Sequence, residues 1–233
     1  MPASSPSGAA STAFDPPEAQ ERRKQLVRDI ARRDPFDGAR WDERVLAVMR
    51  QTPRHLFVPQ ADLASAYRDA PHPIGLGQTI SQPTVVAMMT QALELSGTET
   101  VLEIGTGSGY QAAILGRLAK SVHTIELHAE LAADAKERIE KLGYSNVIVR
   151  AGDGYAGWPE HAPFDRIILT AAPEALPKAL VDQLAEGGIL VAPVGPEGWM
   201  QRLFRYRKIK GKLVEEDLGG VMFVPMVKGD GGT

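Results

Sequence analysis

Residues 100–110 read TVLEIGTGSGY, and this stretch decides the fold. An apolar run at residues 101–104 leads into Gly105-Thr106-Gly107-Ser108-Gly109 and then directly into QAAILGRL, a helical pattern. Glycine is needed where a chain turns sharply and where a ligand approaches the backbone closely. Amide nitrogens at a helix start, with the positive end of the helix dipole, favour an anionic or polar ligand group. A dinucleotide fingerprint would read G-x-G-x-x-G. Here Tyr110 stands where the third glycine would be, and Glu103 lies two residues before the first. A carboxylate in that place repels a pyrophosphate but accepts a hydrogen bond from an ammonium group. Both departures argue against a nicotinamide-dependent oxidoreductase.

Outward from this loop, further strand-like runs fall at residues 122–125, 147–149, 167–169 and 189–194, with helical patterns at 110–118, 129–142 and 174–184. Strands separated by helices of this length indicate βαβ units and a parallel sheet covered on both faces. Two more β-like stretches, 201–208 and 221–227, have no helix between them and predict an antiparallel hairpin-like edge. Upstream, helices are expected over 18–33, 41–50 and 84–95. Pro53 and Pro59 bracket RHLFV, and residues 71–83, PHPIGLGQTISQP, read as a loop. The expected architecture is α/β, a doubly wound, mostly parallel sheet with an antiparallel C-terminal edge and an N-terminal helical addition. Residues 1–17 are expected as a disordered tail, 18–97 as helices and a strap, 98–228 as the α/β domain and 229–233 as a flexible end. Residues 18–228 should form one compact unit. Such sheets hold ligands at the carboxyl ends of their strands. Glu126 ends the strand-like HTIE about twenty residues after Gly105, and Asp153 follows the third strand in RAGDG.

Composition narrows the function. The chain has 233 residues, 43% hydrophobic and 24% charged, which suits one main globular domain. Lys plus Arg number 26 against 29 for Asp plus Glu, a net charge of −3. That balance leaves no footprint for sequence-independent nucleic-acid binding. With 0 cysteines, disulfides, thiolate metal sites and a cysteine nucleophile are excluded. His55, His72, His123, His128 and His161 show no H-x-x-x-H or H-E-x-x-H spacing, so no metal is expected. No apolar run reaches about 18 residues, and none has signal-peptide form. No membrane partner is expected, and a cytoplasmic location is. Without a heptad pattern, a monomer is expected.

The series E-x-G-x-G-x-G, then Glu126, then Asp153, at three successive strand ends, resembles class I methyltransferases, which carry a Rossmann-like fold and bind S-adenosylmethionine. The resemblance implies cofactor contacts from Glu103, Gly105, Thr106, Gly107, Ser108 and Gly109. It adds Glu126 at the ribose, Asp153 near the adenine, and Leu127, Gly154 and Thr170 as further cofactor contacts. PRHLFVP (53–59), AYRDAPHPIGLGQTISQP (66–83), GDGYAGWPEHAPFDRIILTAA (152–172), LVDQLAEGGILVAPVG (180–195) and FVPMV (223–227) extend the likeness. Together, over roughly residues 40–228, they resemble the protein-L-isoaspartate O-methyltransferase family.

That resemblance implies transfer of a methyl group to the free α-carboxylate of L-isoaspartyl residues in damaged proteins and peptides. The ester then collapses to a succinimide, which begins repair. A carboxylate with a reference pKa near 3.9 is already ionised and needs no general base. The lack of a Ser-His-Asp set or metal cluster is consistent with such chemistry. By the same resemblance Ser81 lies beside the reacting carboxylate, Ile80, Gln82 and Pro83 of the strap touch the cofactor, and Val224, Pro225, Met226 and Val227 lie against the peptide. Gly75 and Gly77 would let the strap bend. Ser81 also reads as the cap of the helix that follows. The alternative is a class I methyltransferase with a small-molecule or RNA acceptor.

Overall fold

The computed structural model describes residues 14–229, apart from 37, 197 and 199. The first helix, α1 (Pro17–Ala31), opens on a proline, whose missing N–H is no loss in a first helical turn. It buries Ala19, Leu26, Val27 and Ile30. Asp42 caps α2 (Glu43–Gln51) by accepting the Arg44 amide, and Asp62 caps the short α3 (Leu63–Ala66) at the Ser65 amide. RHLFV forms one turn of 3₁₀ helix, Arg54–Phe57. Residues 1–13 lie outside the described residues, but Asp15, expected in the tail, pairs with Arg23 at 2.7 Å.

The segment read as a loop contains a hairpin, β1 (His72–Gly75) with β2 (Gln78–Ile80). Its turn passes Gly75, Leu76 and Gly77 at φ values of 100°, 51° and 71°, a region that glycine enters freely. The next helix, α4 (Pro83–Ala92), is shorter than the expected 84–95 at its far end.

Then comes the α/β alternation: β3 (Thr100–Ile104), α5 (Tyr110–Gly116), β4 (Ser121–Glu126), α6 (Ala129–Lys141), β5 (Val147–Ala151), β6 (Phe164–Leu169), α7 (Lys178–Gln183) and β7 (Leu184–Val194). The helix expected over 174–184 contracts to α7 because Pro177 interrupts the pattern before it. The edge strands are β8 (Gln201–Ile209) and β9 (Lys212–Val221). The sheet order is β5-β4-β3-β6-β7-β8-β9, parallel through β7 and antiparallel beyond.

The expected second edge strand at 221–227 is corrected. The strand paired with β8 is KLVEEDLGGV, an exposed, acidic edge with no apolar alternation to betray it. Residues after Val221 leave the sheet, and Pro225 forms only an isolated parallel bridge with Ala172.

One apolar cluster joins Ala19 of α1 to Leu46, Met89, Val101, Leu115 and Val221, so the N-terminal helices share a core with one face of the sheet. Leu102, Ile104, Phe164, Leu190 and Met226 pack on the other. From β3 the chain passes outward to β4 and β5, then returns to lay β6 on the opposite side of β3. This reversal opens a crevice at the carboxyl ends of β3 and β6, where open α/β sheets bind ligands.

Candidate functional site

The glycine loop is the floor of that crevice. Gly105, Gly107 and Gly109 have φ values of 95°, 52° and 85°. A Cβ on Gly105 would collide with Thr170 Oγ1, whose hydroxyl donates to the Gly105 carbonyl at 2.6 Å. The Gly105 and Thr106 amides donate to the Ile125 carbonyl at 2.8 and 3.2 Å. At the end of β4, Glu126 accepts the Gly107 amide at 2.8 Å and the His128 amide at 3.1 Å. One carboxylate thus ties the loop to the neighbouring strand end. Each of its oxygens keeps a free lone pair.

Glu103 lies beneath this floor, 0% exposed, with neither carboxyl oxygen hydrogen-bonded. The Thr124 hydroxyl nearby is engaged with Thr106 at 2.7 Å and does not reach hydrogen-bond geometry with Glu103. Burial pushes the Glu103 carboxyl up to about 8, and the charge of Glu126 adds to the rise. It is therefore protonated in the ligand-free protein at neutral pH.

The strap is the roof. Ser81 does not cap α4: the Thr84 backbone amide donates to Asp69 at 2.9 Å, as do the Thr84 hydroxyl at 2.7 Å and the Gln82 side-chain Nε2 at 3.2 Å. Asp69, twelve residues upstream of Ser81, does the capping and leaves the Ser81 side chain to the cavities it lines. The Ser81 carbonyl accepts from Arg54 at 2.9 Å.

A third wall comes from the C-terminal segment. The Gln201 side chain accepts the Phe223 amide at 2.9 Å, Ala172 exchanges backbone bonds with Val224 and Met226 at 2.9 and 2.8 Å, and the Tyr155 hydroxyl donates to the Met226 carbonyl at 2.9 Å.

Three adjoining cavities result, and Thr79 and Thr170 line all of them. One of them, about 600 Å³, runs past the loop and brings together Gly105, Gly107, Glu126, Leu127, Gly154 and residues 224–227. A smaller one beneath the strap, about 320 Å³, holds Ile80, Ser81, Gly105, Thr106, Gly107 and Ser108. The third, about 880 Å³, opens outward from Ser81 and Gln82 to Met222, Phe223 and Val224, with Met200 on its rim. Gln82 therefore faces this outer groove.

Of the residues expected to hold the cofactor, Pro83, Glu103, Gly109 and Asp153 line none of the three. Pro83 is buried in the first turn of α4, Gly109 precedes α5, and Asp153 caps the turn at 154–156 through the Tyr155 amide. Sequence reasoning missed Gln78, Thr79, His128, Met200, Met222 and Phe223. Thr79 stands inside the quoted strap, two residues before Ser81, and was within reach.

The residues present suit S-adenosylmethionine. Gly105 and Gly107 take up little room where a side chain would press on Thr170 and Ile74, Glu126 offers acceptors to the cavity it lines, and Glu103 holds an unpartnered carboxyl at the end of β3, just before the loop. Among the described residues there is no group of three His, Asp or Glu side chains arranged for a metal. No described helix is long and apolar enough to cross a membrane.

Fold and site together define a class I S-adenosylmethionine-dependent methyltransferase. Residues 22–231 match the family model of protein-L-isoaspartate(D-aspartate) O-methyltransferase, and the chain belongs to that family. A protein-L-isoaspartate O-methyltransferase of Dictyoglomus turgidum is 49% identical over 219 residues, covering 94% of this chain and 96% of that one. One from Halorhodospira halophila is 54% identical over 190 residues, covering 81% and 86%. Among solved structures, a protein-L-isoaspartate O-methyltransferase superposes with a TM-score of 0.78 at 29% identity, over 87% of this chain and 65% of the other. A Plasmodium falciparum structure described as the same enzyme, in complex with S-adenosyl-L-homocysteine, gives 0.76 at 26% identity over 88% and 98%.

Proposed function

We propose that this chain methylates the free α-carboxylate of L-isoaspartyl residues in damaged proteins and peptides, with Ser81 at the point of transfer. The reading is carried by one observation: Ser81 lines both the cavity above the glycine loop and the outer groove that ends at Val224. A residue in that place touches donor and acceptor at once. The family relationship supports the acceptor over a small molecule or RNA.

S-adenosylmethionine, when bound, supplies an electrophilic methyl group on a sulfonium. Glu126 would hold its ribose, with Gly105, Thr106, Gly107 and Ser108 under the amino-acid part, Leu127 and Gly154 flanking the base, and Ile80 and Thr170 closing over it. Glu103, Gly109, Asp153 and Pro83 would act through these residues, by shaping the loop and the strap. Gln82 would serve the acceptor side. The substrate peptide would lie along the outer groove against Val224, Pro225, Met226 and Val227, an edge suited to backbone pairing with an extended chain.

The acceptor carboxylate is ionised at neutral pH, so no side chain has to remove a proton. Its charge and the sulfonium charge cancel in the transition state. Strong charge stabilisation would hold the reactants back, and alignment must supply most of the acceleration. Alignment of two reactants is worth on the order of 7–11 kcal/mol in favourable cases. The strap and the floor exclude water and hold the two partners in line. We include in this reading a monomer and a cytoplasmic location, since the methyl donor is an intracellular metabolite.

The test is methyl transfer from labelled S-adenosylmethionine to one peptide made in L-isoaspartyl and L-aspartyl forms. Base-labile label on the isoaspartyl form alone is expected. Binding of S-adenosylhomocysteine without transfer to either form would reject the acceptor.

A further inference from the structure

The most unusual side chain near the site is Arg54. It is 1% exposed, and among the described residues no carboxylate forms an ion pair with it. Its Nε donates to the Ala66 carbonyl at 3.1 Å and its Nη2 to the Ser81 carbonyl at 2.9 Å. The guanidinium lies 5.0 Å from the centre of the Tyr110 ring, and Nη1 has no partner. Burial pushes this group down to about 10, so it stays charged at neutral pH.

An unpaired buried cation is a liability to folding, and an apolar side chain of the same length packs such a site at less cost. Packing therefore does not account for arginine here. Its contacts do. Ala66 ends α3, Ser81 belongs to the strap and Tyr110 opens the helix behind the glycine loop. One rigid, forked donor joins all three, which a lysine's single nitrogen does less well.

On the other side of Ser81, Asp69 fixes Gln82 and Thr84. With Ile80 paired to His72 in the hairpin on the near side, Arg54 ties Ser81 itself, and the direction of the Ser81 Cα–Cβ bond follows from a backbone held at these points.

We propose that Arg54 is a positioning residue: by gripping the Ser81 carbonyl it aims the Ser81 hydroxyl at the transferring methyl group. The proposal rests on the role given to Ser81 above.

The experiment is a double-mutant cycle of Arg54→Met and Ser81→Ala, reading kcat on an isoaspartyl peptide and the affinity for S-adenosylhomocysteine by calorimetry. Arg54→Met is expected to lower kcat about 10- to 100-fold, the scale of an ångström misplacement, and to lower cofactor affinity less. The double variant should be no slower than Ser81→Ala alone, because the two residues act as one unit. Losses that multiply would overturn the proposal and leave Ser81 in place. An unchanged kcat in Ser81→Ala would remove the role of Ser81 and this proposal with it. Thermal melts show whether Arg54→Met folds. If it does not, Arg54→Lys replaces it in the same cycle, with the same coupling expected and a smaller loss.

Discussion

On the floor of the cleft, backbone amides of Gly105, Thr106 and Gly107 bond to Ile125 and Glu126 on the adjacent strand, about twenty residues away. In the roof, Ser81 hangs from Arg54, 27 residues before it, and Gln82 and Thr84 from Asp69. The C-terminal wall is fastened by Tyr155, 71 residues before Met226. The floor is thus a by-product of sheet register. The roof and wall, besides the β1–β2 pairing and the Ala172 backbone bonds, depend on individual side chains reaching across the chain. A change in the floor should act on cofactor affinity, and a change in the roof on rate.

The sharpest trial of that division is Ser81→Ala. It should lower kcat by about 10²-fold while S-adenosylhomocysteine binds within a few-fold of its original strength. If affinity and rate fell together, roof and floor would not be separable.

Glu126→Ala works from the other side. The ribose loses a charged acceptor and Gly107 loses its anchor, so affinity for S-adenosylhomocysteine should drop roughly 10- to 100-fold, the equivalent of about 1.5–3 kcal/mol. An unchanged dissociation constant in calorimetry would take Glu126 out of the cofactor site.

The last trial concerns Glu103, before the loop, and is read in stability alone, with no change expected in rate. Its carboxyl rises from about 4.3 in an unfolded chain to about 8 in the fold. The folded ligand-free protein therefore keeps a proton that the unfolded chain has released. Stability is greatest below the unfolded value and falls as pH rises towards about 8, by at most about 1.4 kcal/mol per pH unit. Glu103→Gln cannot ionise, so its advantage in melting temperature over the parent should widen from pH 5 to pH 8. Parallel melting curves would mean that Glu103 does not carry this buried proton.

How much of this was legible beforehand follows the same division. The loop at 105–109 and Glu126 could be read because glycine spacing and strand ends are local features that periodicity exposes. The hairpin in the strap reads as a loop in the sequence because its strands are only four and three residues long. The edge strand β9 escaped because KLVEEDLGGV faces solvent and carries no alternation. In the sequence, Ser81 reads as the cap of α4 because it lies next to the helix start. The structure gives the cap to Asp69, which a fold in the chain brings to the helix start. Nothing local announces that Arg54 is buried, or that Met200 and Met222 flank the groove leading to Ser81.

What the sequence determined by itself was the doubly wound sheet, the glycine turn and the identity of the residues at the strand ends. Those follow from the two-residue and 3.6-residue periods and from the few residues able to turn sharply, all short-range properties. Only the tertiary structure decided which groups hold the roof over the floor. Those partners lie far apart along the chain, and a side chain's hydrogen-bonding choice is fixed only when the backbone around it is in place.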